Sequence, residues 1–149
     1  MHDSTQDTLA HIRRVQELLS DFCRELMRRG IVHDASKLLP PEKECFDEIT
    51  EQLRGITYGG EEYRATLKRM APAIQHHQKH NSHHPEFYAN GINGMSLFDL
   101  VEMWCDWKAA SERHADGNIT KSIEINRDRF ALSPQLSDIL HNTRMEMNW

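Results

Sequence analysis

His33 and Asp34 stand side by side, and each can hold a divalent cation, the imidazole through nitrogen and the carboxylate through oxygen. The stretch reads Ile31-Val32-His33-Asp34-Ala35-Ser36-Lys37-Leu38. His11 precedes it, the run Gln75-His76-His77-Gln78-Lys79-His80-Asn81-Ser82-His83-His84 follows, and Asp106 comes later. Ten histidines in 149 residues is a heavy load. Imidazole and carboxylate at four separate places fit a divalent-metal site to which each helix gives one or two ligands. Neighbours on a helix do not share a face, so His33 and Asp34 can serve one ion only at a turn or a helix end. Within the histidine run, His77 and His84 are the favoured ligands, with His80 and His83 behind them. The competing reading of that run is a solvated, His-rich helix end.

Asp106 is the distant carboxylate. It lies in Met95-Ser96-Leu97-Phe98-Asp99-Leu100-Val101-Glu102-Met103-Trp104-Cys105-Asp106-Trp107, a segment apolar on most sides and therefore expected to be a buried helix. A buried carboxylate needs a hydrogen bond, a counter-ion or a metal. Asp99 has one at hand, because Ser96-x-x-Asp99 is a capping box. Glu102 can pair with an arginine and is otherwise a secondary candidate for the site, as is Arg14. Asp106, between two tryptophans, has no such local partner.

These residues need a helical frame, and the pattern is helical nearly throughout. A first helix is expected from Thr5 or Asp7, with Ser4-x-x-Asp7 as its capping box, to about Arg29, with Gly30 as the stop. His11 falls within roughly 60° of Val15, Leu18 and Phe22 on a helical wheel and is expected to face the core. A short helix should carry His33 to Leu39. Pro40-Pro41 then launches a third, about Glu42 to Leu53, and Gly55 to Gly60 reads as a loop. A fourth runs from about Glu61 towards His80, kinked or divided at Pro72. Asn81 to Gly94 is irregular. Further helices are expected at Ser96 to Arg113, at Thr120 to Ala131 after an Asp116-Gly117-Asn118 turn, and from Ser133-Pro134 onward. The expected fold is all-α: one compact domain over residues 1–149, a bundle of about six to seven helices.

Composition narrows the function. The formal net charge is −5 and no basic run is present, which argues against an extended nucleic-acid surface. No apolar run is long enough to span a bilayer, and the polar start Met1-His2-Asp3-Ser4 has no signal-peptide core. Cys23, Cys45 and Cys105 form no CxxC; a reduced, cytoplasmic setting with each thiol as a small buried hydrophobe is expected. Trp149 at the end of the sequence suits either a cover over its own core or a homo-oligomer contact.

The order His11, His33-Asp34, later histidines and Asp106 resembles the HD-domain metal-dependent phosphohydrolase superfamily. His11-Ile-Arg-Arg-Val15 resembles its first-helix signature, and Val32-His33-Asp34-Ala35-Ser36-Lys37 its HD-x-x-K element, with Ser36 where Gly is commoner. Trp104-Cys105-Asp106-Trp107-Lys108 resembles the late helix that gives the closing Asp. More closely, HDASKL, HNSHHPEFY and EMWCDWKAAS resemble a family of short, functionally uncharacterised phage and bacterial proteins, over roughly residues 5–140. The superfamily resemblance implies an HD-like bundle with His11, His33, Asp34 and Asp106 on a first metal, His77 and His84 on a second, and Lys37 near a substrate phosphate. It further implies hydrolysis of a phosphomonoester or phosphodiester, a nucleotide above all. Asp34 would then be ligand and orienting base, with Arg13 or Arg14 offsetting phosphate charge. The mixed donor set suits one or two ions of Mn, Fe, Co, Ni or Zn better than Mg alone. Two alternatives remain: a non-catalytic metal- or nucleotide-binding protein, and a di-iron oxygenase on the same fold. Glu48-x-x-Glu51 and Asp99-x-x-Glu102 weakly resemble the carboxylate pairs of all-α nucleoside triphosphate pyrophosphatases, a reading that leaves the histidines unused.

Overall fold

The computed structural model describes residues 3–53, 61–113 and 117–149. The fold is all-α. Among the described residues there are six α-helices, three short 3₁₀ turns and no strand. The helices are α1 (Thr5–Val32), α2 (Glu42–Leu53), α3 (Glu61–His80), α4 (Leu97–Ser111), α5 (Ile119–Phe130) and α6 (Pro134–Glu146). The expected loop at 55–60 and the Asp116 end of the expected turn lie outside the described residues.

The chain forms two compact units, Met1–His33 and Asp34–Trp149. The first is α1. The helix runs three residues beyond the expected end at Arg29, because Gly30 is accommodated as an interior residue and the cap falls at His33. A single interior glycine costs only about 1 kcal/mol, which a 28-residue helix can absorb. Ser4 is the N-cap residue but makes no side-chain cap bond. Asp3 Oδ1 takes that role one residue earlier, accepting from the Thr5 amide at 3.0 Å and the Thr5 hydroxyl at 2.6 Å. No residue of α1 is buried, and His11 is exposed, contrary to the inward position expected from the stripe. The physical reason is that α1 is alone in its unit, with no second element there to close over Ile12, Val15 and Leu18.

In the second unit, α2 packs on α3, α4 on α5 and α5 on α6. The core is Trp104, Ile119, Ile123, Leu132 and Leu140, with Trp107, Phe130 and Trp149 against it. Trp149 stacks on Trp104 at 4.6 Å between ring centres, so it covers its own core. Side-chain caps fix the starts of α4, α5 and α6. Ser96 accepts from the Asp99 amide while the Asp99 carboxylate accepts from the Ser96 amide, the expected capping box. Asn118 and Ser133 cap α5 and α6, and Pro134 opens α6. Helix α3 continues through Pro72 rather than dividing there. In place of the short helix expected at 33–39 there is a single 3₁₀ turn, Ala35–Leu38, entered through Asp34 in the left-handed region (φ 57°). Asp tolerates that region better than most residues. Cys23 and Cys105 are exposed and Cys45 is half-buried, not the buried hydrophobes expected. Cys105 lies on the face of α4 opposite Met103 and Trp104, which do the packing. No described helix is long and apolar enough to cross a membrane.

Candidate metal centre

Asp34, His77, His83 and His84 come together in the second unit, each with a ligand atom within 4.8 Å of the others. Three pieces of chain supply them. Asp34 leads into the 3₁₀ turn Ala35–Leu38, His77 is in the last turn of α3, and His83 and His84 follow the end of that helix at His80. The histidine run therefore works as a bend: the Asn81 amide donates to the His77 carbonyl at 3.1 Å and the His84 amide to the Asn81 carbonyl at 3.0 Å, which turns the chain back beside α3. Pro85 opens the next 3₁₀ turn, Pro85–Phe87. Ser82 donates to Asp99 Oδ1 at 2.8 Å, fastening the segment to α4.

His77 Nε2 lies 3.0 Å and His83 Nε2 3.4 Å from the same oxygen, Asp34 Oδ1. Donor atoms sharing one ion at 2.0–2.2 Å are themselves about 3 to 4 Å apart, so these spacings suit a common cation. Neither contact has the angles of a good hydrogen bond, although both are short. His77 Nε2 and His84 Nε2 are fully shielded from solvent and have no hydrogen-bond partner among the described residues. A buried polar atom without a partner is costly, and a cation at the point they share removes the cost. The donor set, three imidazoles and a carboxylate, thus fits a divalent transition metal.

The electrostatics keep these donors in metal-binding form. Burial pushes the Asp34 carboxyl up, but the close approach of His77 and His83 and the hydrogen bond and charge of Lys37 outweigh it and hold the group well below the usual carboxylate range. Burial, with the neighbouring His83 and His77, drives His84 down to about 3, so its ring is neutral and its lone pair free for a metal. Asp106 acts on His84 in the opposite sense and lies close enough to be felt there. His83 and Asp106 also bring ligand atoms within 4.8 Å of each other.

Behind the histidines stand two more carboxylates. Glu42, the first residue of α2, is completely buried. It accepts from His77 Nδ1 at 2.9 Å, from Ser36 Oγ at 2.8 Å and, on its other oxygen, from His76 Nδ1 at 2.8 Å. These donors outweigh the upward push of burial and hold its carboxyl below its ordinary value. Glu102 faces His83 Nδ1 at 3.2 Å. Lys37 Nζ lies 2.5 Å from Asp34 Oδ2 and 5.3 Å from the centre of the Phe46 ring. On the far side of Glu42, His76 lines a cavity of about 260 Å³ with Cys45, Arg69 and Ala73.

Of the residues singled out from sequence, the structure brings Asp34, His77, His83 and His84 together, with Lys37, Glu102 and Asp106 around them. His80 is exposed; its ring stacks on His76 at 3.9 Å and Nδ1 donates to the His76 carbonyl at 2.6 Å. His33 is the half-buried C-cap of α1, bonded through its peptide to Asp34. His11 is exposed on α1, as is Arg14, which pairs with Glu17 at 2.8 Å. Glu42, Ser36 and Asn81 went unrecognised as contributors. An acid in the first turn of a helix is ordinary, so Glu42 carried no signal without its three-dimensional partners.

The family described as "Family of unknown function (DUF5662)" matches residues 1–146. The chain belongs to this family. The match takes in the whole HDASKL to HNSHHPEFY region, so the Asp34–His77–His83–His84 group lies inside the DUF5662 segment. No curated protein and no solved structure matches the chain.

Proposed function

We propose that this protein is a metal-dependent phosphohydrolase of HD type, acting on a small phosphorylated molecule such as a nucleotide. The observation that carries the reading is the convergence of Asp34, His77, His83 and His84, with Lys37 beside Asp34. The chemistry supplied by a divalent ion in such a site is Lewis-acid activation of a phosphoryl group and of water. Asp34 and the three imidazoles would hold one or two ions of Mn, Fe, Co, Ni or Zn. Asp34 has a second oxygen, Oδ2, directed to Lys37, and so can orient a nucleophilic water while Oδ1 serves as donor. Lys37 places a positive charge where a phosphate would approach Asp34 and offsets the charge that builds on its oxygens.

One observation favours a second reading, a metal site without turnover. Four protein donors close the coordination of a four-coordinate ion, as in structural zinc sites, whereas an ion taking five or six ligands keeps positions for water and substrate. The two readings separate in one experiment. Chelator-treated protein, reloaded with Mn²⁺ or with Zn²⁺, is assayed for phosphate release from p-nitrophenyl phosphate and a panel of nucleotides. We expect release with at least one metal, reduced at least about 100-fold in Asp34→Asn and His77→Ala. Stoichiometric metal with no release from any substrate leaves the closed, non-catalytic site.

A further inference from the structure

We infer that Glu42 and Glu102 are positioning residues for the metal centre: each holds one histidine, His77 or His83, as the Nδ1–H form, so that the Nε2 lone pairs face Asp34. The inference rests on the metal-centre reading. It adds Glu42, which neither the family match nor the sequence pattern assigns, and gives Glu102 a specific role.

Counting protons carries the argument for Glu42. Three atoms surround His77 Nδ1: Glu42 Oε2 at 2.9 Å, Ser36 Oγ at 3.0 Å and Asn81 Nδ2 at 3.0 Å. Asn81 Nδ2 also lies 2.8 Å from the His77 carbonyl, which only accepts, so the orientation of this amide is fixed. Its two hydrogens go to that carbonyl and, at 2.9 Å, to Ser36 Oγ. Ser36 has one hydrogen and gives it to Glu42 Oε2 at 2.8 Å. Ionised Glu42 has none to give. No neighbour therefore has a proton left for His77 Nδ1, and the ring must carry its own there, donated to Glu42. In the neutral ring Nε2 then bears the lone pair, 3.0 Å from Asp34 Oδ1.

His83 repeats the arrangement. Nδ1 is 3.2 Å from Glu102 Oε1 and Nε2 is 3.4 Å from Asp34 Oδ1. The two glutamates come from different helices, α2 and α4, and approach from outside the group, each with a histidine between it and the same aspartate oxygen. A carboxylate on the far nitrogen fixes a ligand ring's tautomer and orientation and raises its basicity. This also gives Ser36, where the HD-x-x-K element more often has Gly, a use: its hydroxyl relays the Asn81 donor to Glu42.

The test joins two measurements on the full chain. Long-range ¹H–¹⁵N spectra of metal-free protein read the histidine tautomers, with His77 and His83 assigned by the signals missing in His77→Ala and His83→Ala. Calorimetric titration with Zn²⁺ alone reads affinity. Glu42→Leu removes the acceptor; we expect His77 to populate the Nε2–H form and Zn²⁺ affinity to fall about 10- to 100-fold. Glu42→Gln keeps an oxygen towards Ser36 and His77 and should retain the Nδ1–H form and most of the affinity. Glu102→Ala should do to His83 what Glu42→Leu does to His77, and it decides the matter should Glu42→Leu fail to fold. Unchanged tautomers and affinity in a folded variant, with wild type binding Zn²⁺, overturn the role of the glutamates and leave the metal centre standing. No Zn²⁺ uptake by wild type overturns the metal centre itself, and the glutamates' role with it, whatever the tautomers.

Discussion

At the scale of single residues, the type of a side chain told its chemistry and not its company. Asp34, His77 and His84 were readable as candidate ligands from their chemistry, and the structure brings their donor atoms together. His83 ranked below His77 because the sequence could not show the bend at Asn81 that turns it inward. His84 gives a pH prediction for metal-free protein. Its folded value, about 3, lies below the ordinary 6.5. Between these values the unfolded chain binds the extra proton and the folded chain does not, so stability is full above pH 6.5 and is lost as pH falls towards 3. The slope from this residue is at most about 1.4 kcal/mol per pH unit. Asp34, with its depressed carboxyl, adds the same sense of loss only below its ordinary 3.8, outside a window of roughly pH 6.5 to 4.5. Urea unfolding in chelator across that window should show wild type losing stability more steeply than His84→Gln. Equal slopes would mean that His84 is not held neutral by its surroundings.

At the scale of elements, caps and prolines were the legible part. Ser96-x-x-Asp99, Ser133-Pro134 and the start of α2 after Pro40-Pro41 lie where local chemistry demands them, because each is decided within four residues of chain. The end of α1 and the fate of Pro72 were not legible, since a helix can absorb one poor residue when its other turns hold. The same limit hid the second use of Asp99. Besides capping α4, it accepts from Ser82 Oγ at 2.8 Å and from the Tyr88 hydroxyl at 2.7 Å, and it is buried. It therefore ties the His83–His84 segment to the helix that carries Glu102 and Asp106. Asp99→Ala leaves the Ser82, Tyr88 and Ser96 donors without their acceptor in a site nearly closed to water. We expect about 3 kcal/mol of lost stability by urea unfolding at pH 7, more than the roughly 1 kcal/mol of a lost cap alone. A loss no greater than that of Ser96→Ala would show that Ser82 and Tyr88 find other partners.

At the scale of the whole molecule, the all-α class followed from the helical period, whereas the division into α1 and the remainder had no trace in composition. It makes two ligand sets distinguishable by experiment. The resemblance to HD phosphohydrolases puts His11 and His33, both in the first unit, on the metal; the geometric group Asp34–His77–His83–His84 lies wholly in the second. A ligand that binds only the folded state stabilises whatever it touches, by about 2.7 kcal/mol at 100 times its dissociation constant. Amide hydrogen exchange, which reports local opening segment by segment, can show where that stabilisation falls. Exchange is measured on the full chain in chelator and with saturating Zn²⁺. If the four-residue group is the whole site, protection rises at residues 34–38, at the end of α3 and through 81–84, because three separate pieces of chain are tied to one point. Residues 5–29 of α1 then exchange at the same rate with and without metal. A rise around His11 as well would put the first helix on the ion and restore the HD ligand set in full. A rise in neither region would remove the metal from both.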